Sequence, residues 1–106
     1  IFASCGDDKI INIYELSGDK LIFMGELTTK DCVLNWHTIT YLSLEENGYR
    51  IAVVTQNGFL VIFDLEDFSL LFCEKIHLGG IEGLVWKGDT ILTCSSDLNI
   101  GVIKLL

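Results

Sequence analysis

The 106-residue chain has no apolar stretch long enough to cross a membrane, and its apolar runs have the length of strands. No segment repeats apolar residues with the period of a helix. Basic residues are scarce: seven Lys and Arg stand against fifteen Asp and Glu, for a formal net charge of −8. They are also scattered singly, whereas proteins that grip a phosphate backbone cluster them. These absences disfavour a helical fold, a membrane span and direct binding of nucleic acid.

The four cysteines, Cys5, Cys32, Cys73 and Cys94, include no C-x-x-C pair. Cys5 and Cys94 hold the same small apolar position in two copies of an internal repeat, which favours buried reduced thiols over disulfides or a metal site. Reduced thiols indicate an intracellular compartment, either the cytoplasm or the nucleus. The first residues include no Met and no signal peptide and look like the middle of a structural unit, so we expect an excerpt from a longer chain.

The internal repeat is a nine-residue pattern that begins at Asp8, Asn57 and Asp97. In every copy the third, fifth and sixth positions after the start are apolar or aromatic, and the eighth is leucine. Upstream of each copy lies a further apolar segment with matching positions. Self-similarity of this kind is typical of repeat architectures.

Ten short segments carry β-branched and alternating apolar residues between turn signals such as Asn-Gly. These predicted strands are residues 1–5, 10–15, 21–27, 39–44, 50–54, 59–64, 69–75, 81–86, 90–95 and 99–105. The pattern predicts an all-β fold built of antiparallel strands.

The third copy, from His77 through Ser95-Ser96-Asp97 to Lys104, resembles a WD repeat of a β-propeller. That family places a His before the innermost strand, a Ser-x-Asp at the turn between the second and third strands, and a Trp-Asp pair at the end of the third strand. The copies begin 49 and 40 residues apart, which brackets the ~40–45 residues of a blade. The Trp of the pattern is replaced in all three copies, so these repeats are divergent and are expected to be held mainly by apolar packing.

The resemblance implies a segment of a propeller made of antiparallel four-stranded blades. Residues 1–27 would supply strands b to d of a first blade, 28–75 a second blade, and 76–106 strands a to c of a third. Because propellers close with about four to eight blades, these would belong to one larger propeller. Five residues match the structural hydrogen-bond positions of the family: Asp8, Asn57, Asp97, Ser95 and His77.

Catalytic and metal-binding interpretations find little support in the residue pattern. Ser95, His77 and Asp97 also resemble a catalytic triad, but no G-x-S-x-G turn surrounds Ser95 and the WD pattern already uses all three. His37 and His77 lie 40 residues apart, one repeat length, which places them in successive blades rather than in one metal site. We therefore expect no enzyme activity, no metal and no cofactor.

In WD-repeat propellers the loops before the innermost strands and the turns between the second and third strands shape the face most often used for partners. The residues at these positions form the candidate partner-binding rim: Asp7, Trp36, Thr38, Gln56, Leu78, Gly80 and Ser96. Trp36 is either a hot spot of that rim or a core residue at the start of a strand. The resemblance implies a scaffold for protein–protein interaction in an intracellular complex. The alternative is a non-catalytic propeller subunit of an enzyme or RNA-processing complex.

Overall fold

A computed structural model of the chain describes residues 1–5, 10–27, 39–46 and 49–105. Within these ranges the chain forms strands and turns, and none of the described residues is helical. Accordingly, the described part contains no helix that could span a membrane. The strands are β1 (Phe2–Cys5), β2 (Ile11–Ser17), β3 (Lys20–Leu27), β4 (Ile39–Leu44), β5 (Arg50–Thr55), β6 (Phe59–Asp64), β7 (Leu70–Lys75), β8 (Ile81–Lys87), β9 (Thr90–Ser95) and β10 (Ile100–Lys104). The predicted all-β class is confirmed.

The strands form three antiparallel sheets in which consecutive strands are neighbours. The first sheet contains β1, β2 and β3, the middle sheet β4 to β7, and the third sheet β8, β9 and β10. The chain divides into two compact units, residues 1–36 and residues 37–106. The first sheet therefore lies in one unit, and the middle and third sheets lie together in the other.

In the first unit, β2 is the central strand, and its alternation of side chains determines which of them are buried. Ile11 and Ile13 are fully buried, and Leu27 lies opposite Ile11 in the register of β2 and β3. Tyr14 and Phe23 make an edge-to-face ring contact with their centroids 5.8 Å apart. Such a pair adds about 0.5–1.5 kcal/mol beyond the area that it buries.

In the second unit, one face of the middle sheet packs on one face of the third. β4 lies beside β8, so the two sheets meet along these strands. Alternate residues of β5 and β6 point to the shared core, as the two-residue period of a strand requires. Fully burying each large aliphatic side chain contributes about 1.5–3 kcal/mol. The buried cluster is Ala52, Val54, Leu60, Ile62, Ile81, Leu84 and Ile91.

Arg50 of the middle sheet forms an ion pair with Glu45 and contacts the ring of Trp86 in the third sheet. The Arg50 guanidinium donates from Nε to Glu45 Oε1 at 2.9 Å and also contacts Glu45 Oε2. Its carbon Cζ lies 5.4 Å from the centroid of the Trp86 ring. The hydrogen bond to Glu45 raises the pKa of Arg50 above its ordinary value. The Trp86 side chain is half-buried, and its ring packs against the core. Its Nε1 donates a hydrogen bond to the Gly88 carbonyl at 3.0 Å.

The described cysteines, Cys5, Cys73 and Cys94, are thiols rather than half-cystines. Their predicted burial is wrong for Cys5 and Cys94, which are exposed. Cys94 is exposed because it lies on the outer face of the third sheet, among the exposed side chains of Leu92, Ile100 and Val102. Cys32 lies outside the described residues.

Candidate functional site

A buried histidine organises one end of the third sheet. His77 precedes β8 and is 4% exposed. Its Nδ1 lies 3.0 Å from Asp97 Oδ2, and its Nε2 lies 2.8 Å from Thr93 Oγ1. An ionised carboxylate only accepts hydrogen bonds, so Nδ1 carries the proton that is shared with Asp97. In the neutral imidazole this leaves Nε2 to accept from the Thr93 hydroxyl.

The Asp97 carboxylate joins the loop before β8 to the turn between β9 and β10. Its Oδ2 accepts the backbone N–H of Leu78 at 2.9 Å, and its Oδ1 accepts that of Asn99 at 2.9 Å. Burial raises the pKa of Asp97, but the hydrogen bonds from Asn99, Leu78 and His77 outweigh that effect and lower the pKa to about 2. The carboxylate is therefore ionised at neutral pH.

Ser95 closes the same network through its hydroxyl group. Its Oγ donates to the Gly80 carbonyl at 2.8 Å and accepts the Asp97 N–H at 3.1 Å. The His77 ring thus contacts Thr93 rather than Ser95. Thr93 is 2% exposed, so the hydroxyl that faces the histidine is buried. This geometry supports a structural role for the network, which fastens two loops at the end of the third sheet.

The corresponding turn of the middle sheet has its own side-chain hydrogen bonds, which lie within the turn. The Thr55 hydroxyl contacts Asn57 Oδ1 and accepts the Phe59 N–H at 3.1 Å. Gly58 has a φ of +91°, and a Cβ built on it would lie 2.1 Å from the His77 carbonyl oxygen. Only glycine fits this position, because it combines a left-handed backbone with close contact to a neighbouring loop.

Between these two turns lies a groove of about 490 Å³, which we call the rim groove. It opens where the β5–β6 turn, the β9–β10 turn and the starts of β4 and β8 meet. A Cβ on Gly80 would lie 2.7 Å from the Gln56 carbonyl oxygen, so the backbone of the third sheet approaches that of the middle sheet closely. The Thr40 hydroxyl donates to the Ile81 carbonyl across the same junction. The groove is lined by Thr40, Gln56, Gly80, Ile81, Glu82 and Ser96.

Two leucines stand at this rim with almost all of their side-chain surface in solvent. Leu78 is 87% exposed and Leu98 is 94% exposed. Leu98 also has a φ of +69°, in the left-handed region. For a residue with a Cβ, that conformation costs about 1–2 kcal/mol.

The structure brings some of the predicted site residues together. His77, Ser95 and Asp97 form one network, Asn57 lies in the equivalent turn, and Gln56, Gly80 and Ser96 line the rim groove. Leu78 lies beside Asp97 rather than in the groove lining. Asp7, Asp8, Trp36 and Thr38 lie outside the described residues.

Sequence reasoning missed Thr93, Glu82 and Leu98. A threonine within an apolar strand looks like a β-branched strand former, so its bond to His77 leaves no trace in the pattern. Glu82 alternates with buried residues of β8 and looks like any solvated position. A signal did exist for Leu98, because the repeat aligns it with Gly58.

The described residues contain no group of three or more His, Cys, Asp or Glu side chains that could hold a metal ion. His77, the ligand type that metals most often use, already has hydrogen-bond partners at both ring nitrogens. The chemistry that the rim groove offers is hydrogen bonding by hydroxyl, amide and backbone groups, together with one carboxylate.

Comparison with known proteins bears on the fold alone. No protein-family model matches the chain, and no curated protein matches it in sequence. Solved structures do match, among them a crystal structure of the computationally designed Ika4 protein, with a TM-score of 0.76 and 14% identity. That match covers 97% of this chain and 59% of the Ika4 chain. A crystal structure of the computationally designed Ika8 protein gives the same TM-score and identity over 97% of this chain and 30% of the Ika8 chain. This chain thus spans less than two thirds of both.

Proposed function

We propose that the chain covers one whole blade and parts of two neighbouring blades of a WD-repeat β-propeller, and that it serves as a non-catalytic scaffold in an intracellular complex. In this proposal the rim groove holds an extended segment of a partner protein. The observation that carries the proposal is the rim groove between the β5–β6 turn and the β9–β10 turn. Its lining includes Gln56, Gly80 and Ser96, three residues of the predicted partner-binding rim.

The way the sheets pack supports the propeller interpretation. Leu60 and Ile62 of the middle sheet are buried against the third sheet. The repeat aligns them with Ile100 and Val102, which are exposed on the outer face of the third sheet. On the middle sheet these two repeat positions are covered by the third sheet. On the third sheet the same two positions are exposed. A further sheet of the same kind would fit that face, as expected for a series of stacked blades.

The lining of the groove supports a peptide as the ligand. Thr40, Gln56 and Ser96 bring hydroxyl and amide groups to the lining. Such groups can pair with the N–H and C=O groups of an extended chain. Glu82 is the charged side chain of the lining, and the whole chain carries a net charge of −8. Both features favour a segment with Lys or Arg.

Selection of random linear peptides on phage against the whole chain tests the proposal. We expect the enriched peptides to contain basic residues and to bind a Glu82→Lys variant at least about tenfold more weakly, which is about 1.4 kcal/mol. Calorimetric titration with one synthetic enriched peptide measures this difference. We expect this loss of affinity because Glu82→Lys reverses the charge of the groove and does not change a buried residue.

The matched control is Glu66→Lys, the same charge reversal at an exposed residue between β6 and β7, at the opposite end of the middle sheet. It should leave the affinity within about twofold, since separated surface charges are screened over about 10 Å. Equal loss of affinity in both variants would show a general charge effect and would contradict binding in the rim groove. So would a failure to enrich any peptide.

A further inference from the structure

The side chains that line the rim groove from β4 and β8 act as hydrogen-bond acceptors. The carboxylate of Glu82 only accepts hydrogen bonds. The Thr40 hydroxyl has a single proton and donates it within the chain, to the carbonyl of Ile81 or, at 3.4 Å, to that of Val54. Whichever carbonyl takes that proton, Thr40 can only accept a hydrogen bond from a ligand.

The backbone at Gly80 and Ser96 is already paired within the chain. The Gly80 carbonyl accepts from the Ser95 hydroxyl at 2.8 Å and from the Ser96 N–H at 3.1 Å. Both lone pairs of that carbonyl oxygen are therefore used, and so is the Ser96 N–H. The group that Ser96 offers to a ligand is its hydroxyl.

The exposed side chains of Gln56 and Ser96 complete the polar lining. An amide and a hydroxyl each donate and accept. Together with Glu82 and Thr40, which only accept, they give the groove more acceptor than donor groups. A ligand that satisfies this lining brings several N–H donors, and the carboxylate favours one with a positive charge.

Arginine and lysine meet such a lining in different ways. A guanidinium holds its N–H donors in a planar fork, which can bind a carboxylate through parallel hydrogen bonds and still donate to other acceptors. An ammonium has fewer donors, on one strongly hydrated nitrogen. The acceptors of Thr40 and Glu82 lie on the neighbouring strands β4 and β8, so a fork that spans them is favoured over a point charge. Methylated lysine is recognised by aromatic side chains, and none of the described residues that line the groove is aromatic.

We propose that the rim groove selects the guanidinium group of an arginine in the partner segment over the ammonium group of a lysine. This inference rests on the proposed function and specifies the residue that the partner presents. The guanidinium donates to the Glu82 carboxylate, and its remaining N–H groups donate to Thr40 and to the side chain of Gln56 or Ser96. With a lysine in its place, some of these acceptors lose both water and donor in the complex, and that loss lowers the affinity.

Three forms of one enriched peptide test the selection, with arginine, lysine or citrulline as the basic residue or its neutral replacement. In calorimetric titration of the whole chain, we expect the lysine form to bind at least about tenfold more weakly than the arginine form. The citrulline form should also bind at least about tenfold more weakly, because it keeps the shape of arginine but lacks the charge that pairs with Glu82. These changes are made in the peptide, so the fold of the chain is the same in all three titrations.

Thr40→Val tests the second acceptor, because valine keeps the shape of threonine and removes its oxygen. We expect this variant to reduce the preference for arginine over lysine to about threefold or less. Thr90→Val is the matched control: it is the same exchange at the opposite end of β9, where the hydroxyl donates to Asp89 Oδ1 at 3.1 Å. It should leave the preference unchanged. The thermal midpoint of each variant shows whether it is folded at the temperature of the titration.

The outcomes separate the selection from the groove. If the lysine form binds as tightly as the arginine form while Glu82→Lys weakens both, the groove stands and the selection of guanidinium is contradicted. Equal affinity of the citrulline and arginine forms would contradict the pairing with Glu82, and the selection with it. If no peptide is enriched, the groove itself fails, and no site remains for the selection.

Discussion

Asp97 joins the loop before β8 to the β9–β10 turn through hydrogen bonds that an apolar side chain could not make. Its carboxylate accepts the backbone N–H groups of Leu78 and Asn99 and contacts the His77 ring. Charge-assisted hydrogen bonds of this kind are about twice as strong as neutral ones. The residue therefore fastens the loop before β8 to the turn between β9 and β10.

The pH dependence of stability should report on this carboxylate. The pKa of Asp97 is about 2 in the folded chain, whereas the pKa of Asp in an unfolded chain is about 3.9. A group with a lowered folded pKa stabilises the fold at pH values above its unfolded pKa, and that stabilisation is lost as the pH falls towards the folded value. We expect the wild-type chain to have a higher thermal midpoint than Asp97→Asn at about pH 7, with the difference shrinking towards about pH 2.

Calorimetric scans across that pH range check the prediction. Asn57 holds the aligned turn position in the middle sheet, so Asp97→Asn is compatible with the turn. Asp19→Asn, at an exposed residue between β2 and β3, is the matched control for the loss of one carboxylate. A difference between wild type and Asp97→Asn that stays constant across the range would contradict the assigned pKa.

At this scale the sequence predicts some contacts and conceals others. His77, Ser95 and Asp97 could be identified because the resemblance specifies residue types at fixed positions. The contact between Arg50 and Trp86 could not be predicted. It joins strands of two different sheets, and no local sequence pattern encodes how the sheets pack on each other. Leucine itself has no preference for the left-handed φ of Leu98, so only its alignment with Gly58 could have marked the position.

At the scale of elements, the two faces of a sheet decide what each side chain contributes. Ile62 and Val102 hold the same repeat position, but Ile62 is 1% exposed and Val102 is 62% exposed. The strands themselves were predicted well, because alternation and turn residues are local features. Which faces are covered could not be predicted in the same way, since both faces of the central strands are apolar and only packing distinguishes them.

The pair Ile62→Lys and Val102→Lys tests this difference between the faces. We expect Ile62→Lys to lower the free energy of unfolding by roughly 3–5 kcal/mol, because it buries a charge without a partner. Val102→Lys should change it by less than about 0.5 kcal/mol. It should also reduce self-association, because it interrupts an exposed apolar face. Urea denaturation and light scattering measure the two effects. Equal destabilisation by both substitutions would show that the outer face of the third sheet is covered.

At the scale of the whole molecule, the middle and third sheets form one support that displays loops. The middle and third sheets are joined by a continuous apolar core, and the loops above them are fixed by side-chain hydrogen bonds. Loops on a rigid scaffold are where binding residues are commonly found. In the proposed function the fold supplies stiffness and the turns supply specificity. The repeated apolar positions predicted the strands, but the chemistry of a partner leaves no repeat.

The most direct test of the central claim is a map of amide chemical-shift changes in the chain during titration with an enriched peptide. We predict that the largest changes occur at Gln56, Glu82 and Ser96, which line the rim groove. The amides of residues 65–68 and 87–90, at the opposite ends of the same two sheets, should change little. Largest changes at that opposite end, or changes spread evenly over the chain, would contradict binding in the rim groove.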